Sequence, residues 1–143
     1  MNPQVEYKRL YDKAKNLTEE YKNSVYAISS SERCYVFPGE RKLIKTFLEI
    51  SIPENYFGII LSRKDSYIKN GLYVFQELIL PNTRKELQLA VMNVNIPKGP
   101  IMMSDNERFF GEKTKIDIYI GDRIANMILI PITEYSVKDI TIT

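Results

Sequence analysis

The sequence predicts an all-β domain of sandwich or barrel type, led by an N-terminal α-helix, and three observations carry that expectation. The hydrophobic period is close to 3.6 over the first 22 residues and becomes 2 from about Ser24 onward. Short apolar runs are divided at frequent intervals by Pro-Gly, Pro-Glu-Asn, Asn-Gly and Pro-Asn, the punctuation of tight turns between strands. At 143 residues and 44% hydrophobic, the chain has the length of one domain and enough apolar material for a core without metal or disulfide support. The expected organisation is a helix over residues 1–22 and a β domain over residues 23–143.

Tyr7, Leu10, Tyr11, Ala14, Leu17 and Tyr21 recur at spacings of three and four, with Asn2 as cap and Pro3 in the first turn, and so predict an amphipathic helix. Its tyrosine-rich face either packs on its own domain or serves as a partner-binding or oligomerising arm. In KLIKTFLEISI, residues Ile44, Thr46, Leu48, Ile50 and Ile52 fall on one side and Lys45, Glu49 and Ser51 on the other, the alternation of a half-buried strand. Shorter runs at Tyr35 to Phe37, Phe57 to Leu61, Leu72 to Phe75, Leu87 to Met92 and Ile116 to Ile120 predict further strands. In GDRIANMILI, Gly121 to Ile130, both sides of the strand are apolar, which implies burial on both faces or against another subunit. The segment from Asn95 to Lys113 is a long, turn-rich loop carrying Ile101, Met102, Met103, Phe109 and Phe110. These five either form a partner-binding surface or fold back over the domain.

Composition narrows the chemistry. The chain has no histidine, so the usual neutral-pH proton carrier and commonest metal ligand are missing, and catalysis would fall to carboxylates, tyrosine or lysine. Cys34, the one cysteine, reads as a small buried hydrophobe. With no cysteine to pair with and no signal-like N-terminal run, an intracellular setting, cytoplasmic or nuclear, is expected. The 20 basic and 18 acidic residues nearly cancel and the lysines are scattered, which argues against nucleic acid as main partner. No run approaches the ~20 apolar residues of a membrane span, so a soluble protein is expected.

The turn-bearing segments stand in a telling order: PGERKLIKT, IPENYFGII, SRKDSYIKNGL, LPNTRKEL, VMN and GDRIANMILIPI. From about Asn23 to Ile132 this order resembles the trimeric dUTPase family, whose fourth motif, usually GDRIAQ, is similar to GDRIA here. The resemblance implies a dUTPase-like distorted jelly-roll barrel that forms homotrimers with sites shared between subunits.

Position by position, the resemblance implies a changed pocket. The family's Ala-Gly-Tyr-Asp-Leu falls on Ser24, Val25, Tyr26, Ala27 and Ile28, so Ala27 stands where the family has the carboxylate associated with magnesium and the triphosphate. The Arg-Ser-Ser motif falls on Arg63, Lys64 and Asp65. In the third motif Leu80 occupies the place of the water-activating aspartate and Thr83 that of the deoxyribose-stacking tyrosine, with Arg84 and Glu86 keeping register. Asn126 replaces the glutamine of the fourth motif. The Gly-rich fifth motif has no counterpart in TEYSVKDITIT.

Leucine accepts no proton, and a lost general base commonly costs about 10²–10⁴-fold. The expectation is therefore a catalytically inactive dUTPase-like protein with a vestigial pocket of Arg63, Lys64, Leu80, Thr83 and Asn126. It would hold no metal or cofactor and would act as a protein-binding or regulatory module, similar to the adenovirus early-region-4 dUTPase-like proteins. A nucleoside triphosphate pyrophosphatase of altered specificity, a nucleotide-binding protein and a virion-associated structural protein are the alternatives.

Overall fold

The computed structural model describes residues 2–96, 102–104, 107–109 and 115–142. In chain order the strands are β1 (Glu6–Arg9), β2 (Thr18–Tyr21), β3 (Val25–Ser29), β4 (Cys34–Val36), β5 (Arg41–Ser51), β6 (Tyr56–Ser62), β7 (Leu72–Val74), β8 (Glu77–Ile79), β9 (Arg84–Asn93), β10 (Met102–Ser104), β11 (Glu107–Phe109), β12 (Ile116–Ile118) and β13 (Arg123–Pro131). One π-helical turn, Ser66–Asn70, joins β6 to β7. A four-stranded sheet runs β1-β5-β9-β7 and a five-stranded sheet β2-β3-β13-β6-β8, with two ribbons pairing β10 with β11 and β12 with β4.

Strand β5 shows why the alternating sequence folds as it does. Ile44, Thr46, Leu48 and Ile50 are all buried, as is Ile52 just beyond the strand, while Lys45 is exposed. The register with β9 moves from Lys45↔Gln88 to Leu48↔Leu87, so Thr46 and Phe47 are two extra residues. An insertion of two preserves the side-chain parity of the strand, so the apolar face stays inward through the bulge. Both large sheets contribute to one core, with Ile44, Leu48, Leu87 and Leu89 from one and Ile28, Ile60, Ile79 and Met127 from the other. Each such side chain contributes roughly 1.5–3 kcal/mol by leaving water. Gly58 marks a close approach within it: a Cβ there would lie 2.7 Å from Ile52 Cδ1.

The expected barrel does not close. Strand β6 already has β13 on one edge and β8 on the other. Strand β7 therefore reaches it only through a side chain, with the Val74 N–H donating to Ser62 Oγ at 3.2 Å. The architecture is two antiparallel sheets around a shared core.

The expected N-terminal helix is also absent. Residues 6–9 pair antiparallel with β5, Tyr7 opposite Ile50, and residues 18–21 pair with β3. The bulge in β5 supplies the dock: the Leu10 N–H donates to the Phe47 carbonyl at 2.9 Å, and the Tyr11 and Phe47 rings lie 5.5 Å apart. Ala14 is buried and Leu17 half-buried, whereas Tyr7, Leu10, Tyr11 and Tyr21 are exposed. An isolated helix of this length is marginal in water, and sheet edges that offer backbone partners outcompete it. Residues 102–104 and 107–109 form an antiparallel hairpin inside the expected loop.

Candidate functional site

The strands carrying the first, second and fourth motifs meet side by side. Ala27 on β3 lies opposite Asn126 on β13, and Asn126 lies opposite Leu61 on β6, so the three share one face of the five-stranded sheet. Arg63, just past the end of β6, donates from Nη1 to Asn126 Oδ1 at 2.9 Å. The same nitrogen donates to Glu20 Oε1 at 2.6 Å, and Arg123 Nη1 donates to that carboxylate oxygen at 2.9 Å. Two guanidiniums thus converge on one carboxylate, and the Asn126 carboxamide holds one of them. The hydrogen bond from Arg63, with its charge and the hydrogen bond and charge of Arg123, holds the Glu20 carboxyl below the usual carboxylate range, against an opposing loss of hydration.

Two bulges aim these groups. Between β2 and β3 the pairing steps from Glu19↔Tyr26 to Tyr21↔Val25, which leaves Glu20 as the extra residue. Between β13 and β3 it steps from Arg123↔Ser29 to Ala125↔Ile28, with Ile124 extra. Bulges turn side chains out of the regular alternation, and here they bring together charges from opposite ends of the chain. The Gly121–Asp122 turn is fixed locally: the Tyr119 N–H donates to Asp122 Oδ2 at 2.8 Å, and Ser30 exchanges backbone hydrogen bonds with Asp122 and Gly121.

Leu80 and Thr83 stand elsewhere, in the turn between β8 and β9. Thr83 Oγ1 donates to the Leu80 carbonyl at 2.7 Å, and the Asn82 N–H to the Ile52 carbonyl at 3.1 Å. Leu80 is 53% exposed. Ile79 lies opposite Gly58, toward the start of β6, whereas Arg63 follows the end of that strand. Four strand residues lie between Gly58 and Arg63, five steps or roughly 16 Å. Within one chain the five pocket positions therefore form two groups: Arg63, Lys64 and Asn126, and Leu80 with Thr83. Beside the second group lies a shallow depression lined by Leu43, Phe75, Glu77, Lys85, Glu86 and Gln88. Glu77 and Lys85 form an ion pair across it.

Of the proposed partner-binding residues, Ile101 and Phe110 lie outside the described residues. Met102, Met103 and Phe109 belong to the β10–β11 hairpin, Met102 opposite Phe109. Cys34 is half-buried on β4, packed against the core, and loss of hydration pushes its thiol up, leaving it protonated at neutral pH. Among the described residues no three carboxylate, histidine or cysteine side chains converge to hold a metal. Ala27 puts only a methyl group at the position that the resemblance associates with magnesium, so these residues do not compose a protein-held magnesium site. No helix among the described residues is long and apolar enough to cross a membrane.

Glu20 was not legible as a site residue. Its partners are 43 and 103 positions away, and its local pattern is that of a solvated helix face.

Two antiparallel sheets, with the residues of three separate motifs brought to one face, place the chain in the dUTPase-like fold class. The chain belongs to the dUTPase family: the family model described as dUTPase matches residues 12–109. A deoxyuridine 5'-triphosphate nucleotidohydrolase of Leifsonia xyli is 27% identical over 111 residues, covering 74% of this chain and 60% of that protein. One of Tropheryma whipplei is 23% identical over 113 residues, covering 78% of this chain and 66% of that protein. The chain thus spans less than two thirds of the length of these relatives. The Staphylococcus bacteriophage 80alpha dUTPase solved with dUpNHpp superposes with a TM-score of 0.79 at 26% identity, covering 98% of this chain and 89% of that one. A variant of the 80alpha phage dUTPase gives 0.80 at 26% identity, covering 100% and 92%.

These likenesses overturn the expectation of an inactive regulatory module. The family and the relatives are named for dUTP hydrolysis, and none points to a pseudoenzyme, to a separate protein partner or to adenovirus proteins. The expectation rested on several departures taken together, Leu80, Ala27, Thr83 and the missing fifth motif among them. Losing a base costs about 10²–10⁴-fold, while enzymes accelerate reactions by ~10⁶–10¹⁷-fold, much of it through positioning and fixed charge.

Proposed function

We propose that the chain is a nucleoside triphosphate pyrophosphatase of the dUTPase type that converts dUTP and water to dUMP and pyrophosphate as a homotrimer. Membership of the dUTPase family supports this reading, and the observation that carries it is the convergence of Arg63, Arg123 and Asn126 on one face of the five-stranded sheet. Guanidiniums held in place supply donors for phosphate oxygens and for the negative charge that grows as water attacks phosphorus. The Leu80–Thr83 turn lies too far along β6 to complete that site in the same chain. A trimer brings the turn of one subunit to the arginines of the next. The exposed tail beyond β13, with Val137, Ile140 and Ile142 in solvent, is the segment that crosses to a neighbour.

In this arrangement Leu80 packs beside the substrate without taking a proton, and Thr83 leaves the sugar face more open than a tyrosine would. Turnover is slow for the family, and discrimination between deoxyribose and ribose is reduced. The test is pyrophosphate release from dUTP, UTP, dCTP and dTTP, each with and without magnesium in the buffer, at several protein concentrations. The expected result is turnover of dUTP ahead of dCTP and dTTP, with UTP closer to dUTP than a stacking tyrosine would allow. No release and no calorimetric binding with any of the four would overturn the proposal.

A further inference from the structure

The Glu20 carboxylate is bound as a ligand is bound. One oxygen, Oε1, accepts from Arg63 Nη1 at 2.6 Å and from Arg123 Nη1 at 2.9 Å, distances of charge-assisted hydrogen bonds. Arg63, just past the end of β6, is held by Asn126 of β13, and Arg123 is the first residue of β13, so both cations are tied to central strands. Glu20 comes from β2, a four-residue strand at the edge of the sheet, and it is the bulged residue there. A short edge strand with an irregular ladder opens at low cost, while β13 is held on both sides. The carboxylate is therefore on the movable partner and the guanidiniums on the fixed one. Ala27, between Thr18 and Asn126 in the sheet, adds no polar group to this face.

We infer that Glu20 is an internal anion that occupies the Arg63–Arg123 pair in the unliganded protein and is displaced when the oxygens of a polyphosphate take its place. The inference rests on the proposed nucleotide reading for its ligand class but requires only an inorganic chain of phosphates. Glu20 keeps two like charges neutralised while the site is empty, and every incoming phosphate competes with it. Affinity for polyphosphate is thereby set by the ease with which β2 releases its carboxylate. Weak anions such as chloride or acetate do not displace it, because they offer fewer acceptors and less charge than the two guanidiniums can satisfy.

The probe is inorganic tripolyphosphate, titrated calorimetrically at fixed ionic strength into the full chain and into Glu20→Gln, Arg63→Gln and Arg123→Gln. Glu20→Gln keeps the shape of the side chain and removes the charge, and it binds about tenfold more tightly, on the order of one charged hydrogen bond no longer opposed. Arg63→Gln and Arg123→Gln each bind at least about tenfold more weakly. As a second readout in the unmodified protein, saturating tripolyphosphate speeds amide exchange of Thr18–Tyr21 and leaves β6 and β13 unchanged. Equal or weaker binding by Glu20→Gln with its melting transition retained would overturn the inference, as would binding with β2 exchange unaltered, or no binding by any of the four proteins. Because tripolyphosphate carries no nucleoside and is scored by binding, failure of dUTP turnover and failure of this inference are separate results.

Discussion

At Thr46 a buried hydroxyl donates to the Leu87 carbonyl at 2.6 Å and accepts from the Leu48 N–H at 3.2 Å, closing a bulge that would otherwise leave backbone groups unpaired in the core. Thr46→Val keeps the shape and removes both bonds, so it lowers unfolding free energy by about 1–3 kcal/mol, measurable by urea denaturation. Glu20 gives a pH signature with a definite sign. Its folded carboxyl titrates below its unfolded value, so the ion pair stabilises fully above about pH 4.3, the ordinary glutamate value, and fades as pH falls through the lower folded value. The melting temperature of the parent protein therefore exceeds that of Glu20→Gln at pH 7, and in acid the difference closes as pH falls through the lowered folded value. Scanning calorimetry at pH 7 and in acid checks it; a gap that widens in acid would show that the carboxylate is not held by cations.

The elements show what a sequence reveals and what it hides. Strands with one buried face, β5 and β9 above all, are legible because alternation is imposed by the pleat itself. The first 22 residues misled for a physical reason. Tyr7, Leu10, Tyr11, Ala14, Leu17 and Tyr21 have helical spacing, but spacing describes only how a segment would bury its own face. It does not register the free edge of β5, formed by residues far along the chain, or the edge of β3, which the next few residues supply. The π-turn is different, since Gly71 closes it at φ 74°, where a Cβ would come 2.2 Å from Asn95 Oδ1. Asn95 in turn donates to the Asn70 carbonyl at 2.8 Å. Gly71→Ala strains the backbone and displaces that side chain, costing about 1–3 kcal/mol by thermal denaturation. A neutral effect would mean that the β6–β7 connection is free to rearrange.

At the scale of the whole molecule, the order of motifs announced the family even where single residues departed from it. Order survives because it is written in turns and strand lengths, which the fold needs. The chemistry was harder to read. Leu80 invited the conclusion that the reaction was lost, and its weight depends on what other groups contribute, which no local pattern displays. The motifs marked Arg63 and Asn126 as candidates, and the structure joins the two; Glu20 came to light only when the sheet brought β2 to them. The two groups of pocket residues lie at different ends of β6, and in the proposed trimer one subunit completes the site of the next. Multi-angle light scattering is expected to give three times the 16.7 kDa chain mass. If the tail is the crossing segment, truncation after Ile132 is expected to shift that mass toward the monomer and to abolish the proposed turnover with it.

Hydrolysis of dUTP without an acid side chain at position 80 is checked by following dUTP with phosphorus NMR in the presence of the parent protein and of Leu80→Asp. Slow appearance of pyrophosphate and dUMP with the parent, and a rate about 10²–10⁴-fold higher with Leu80→Asp, is the predicted outcome. Unchanged dUTP with both proteins, each folded and trimeric, would contradict it.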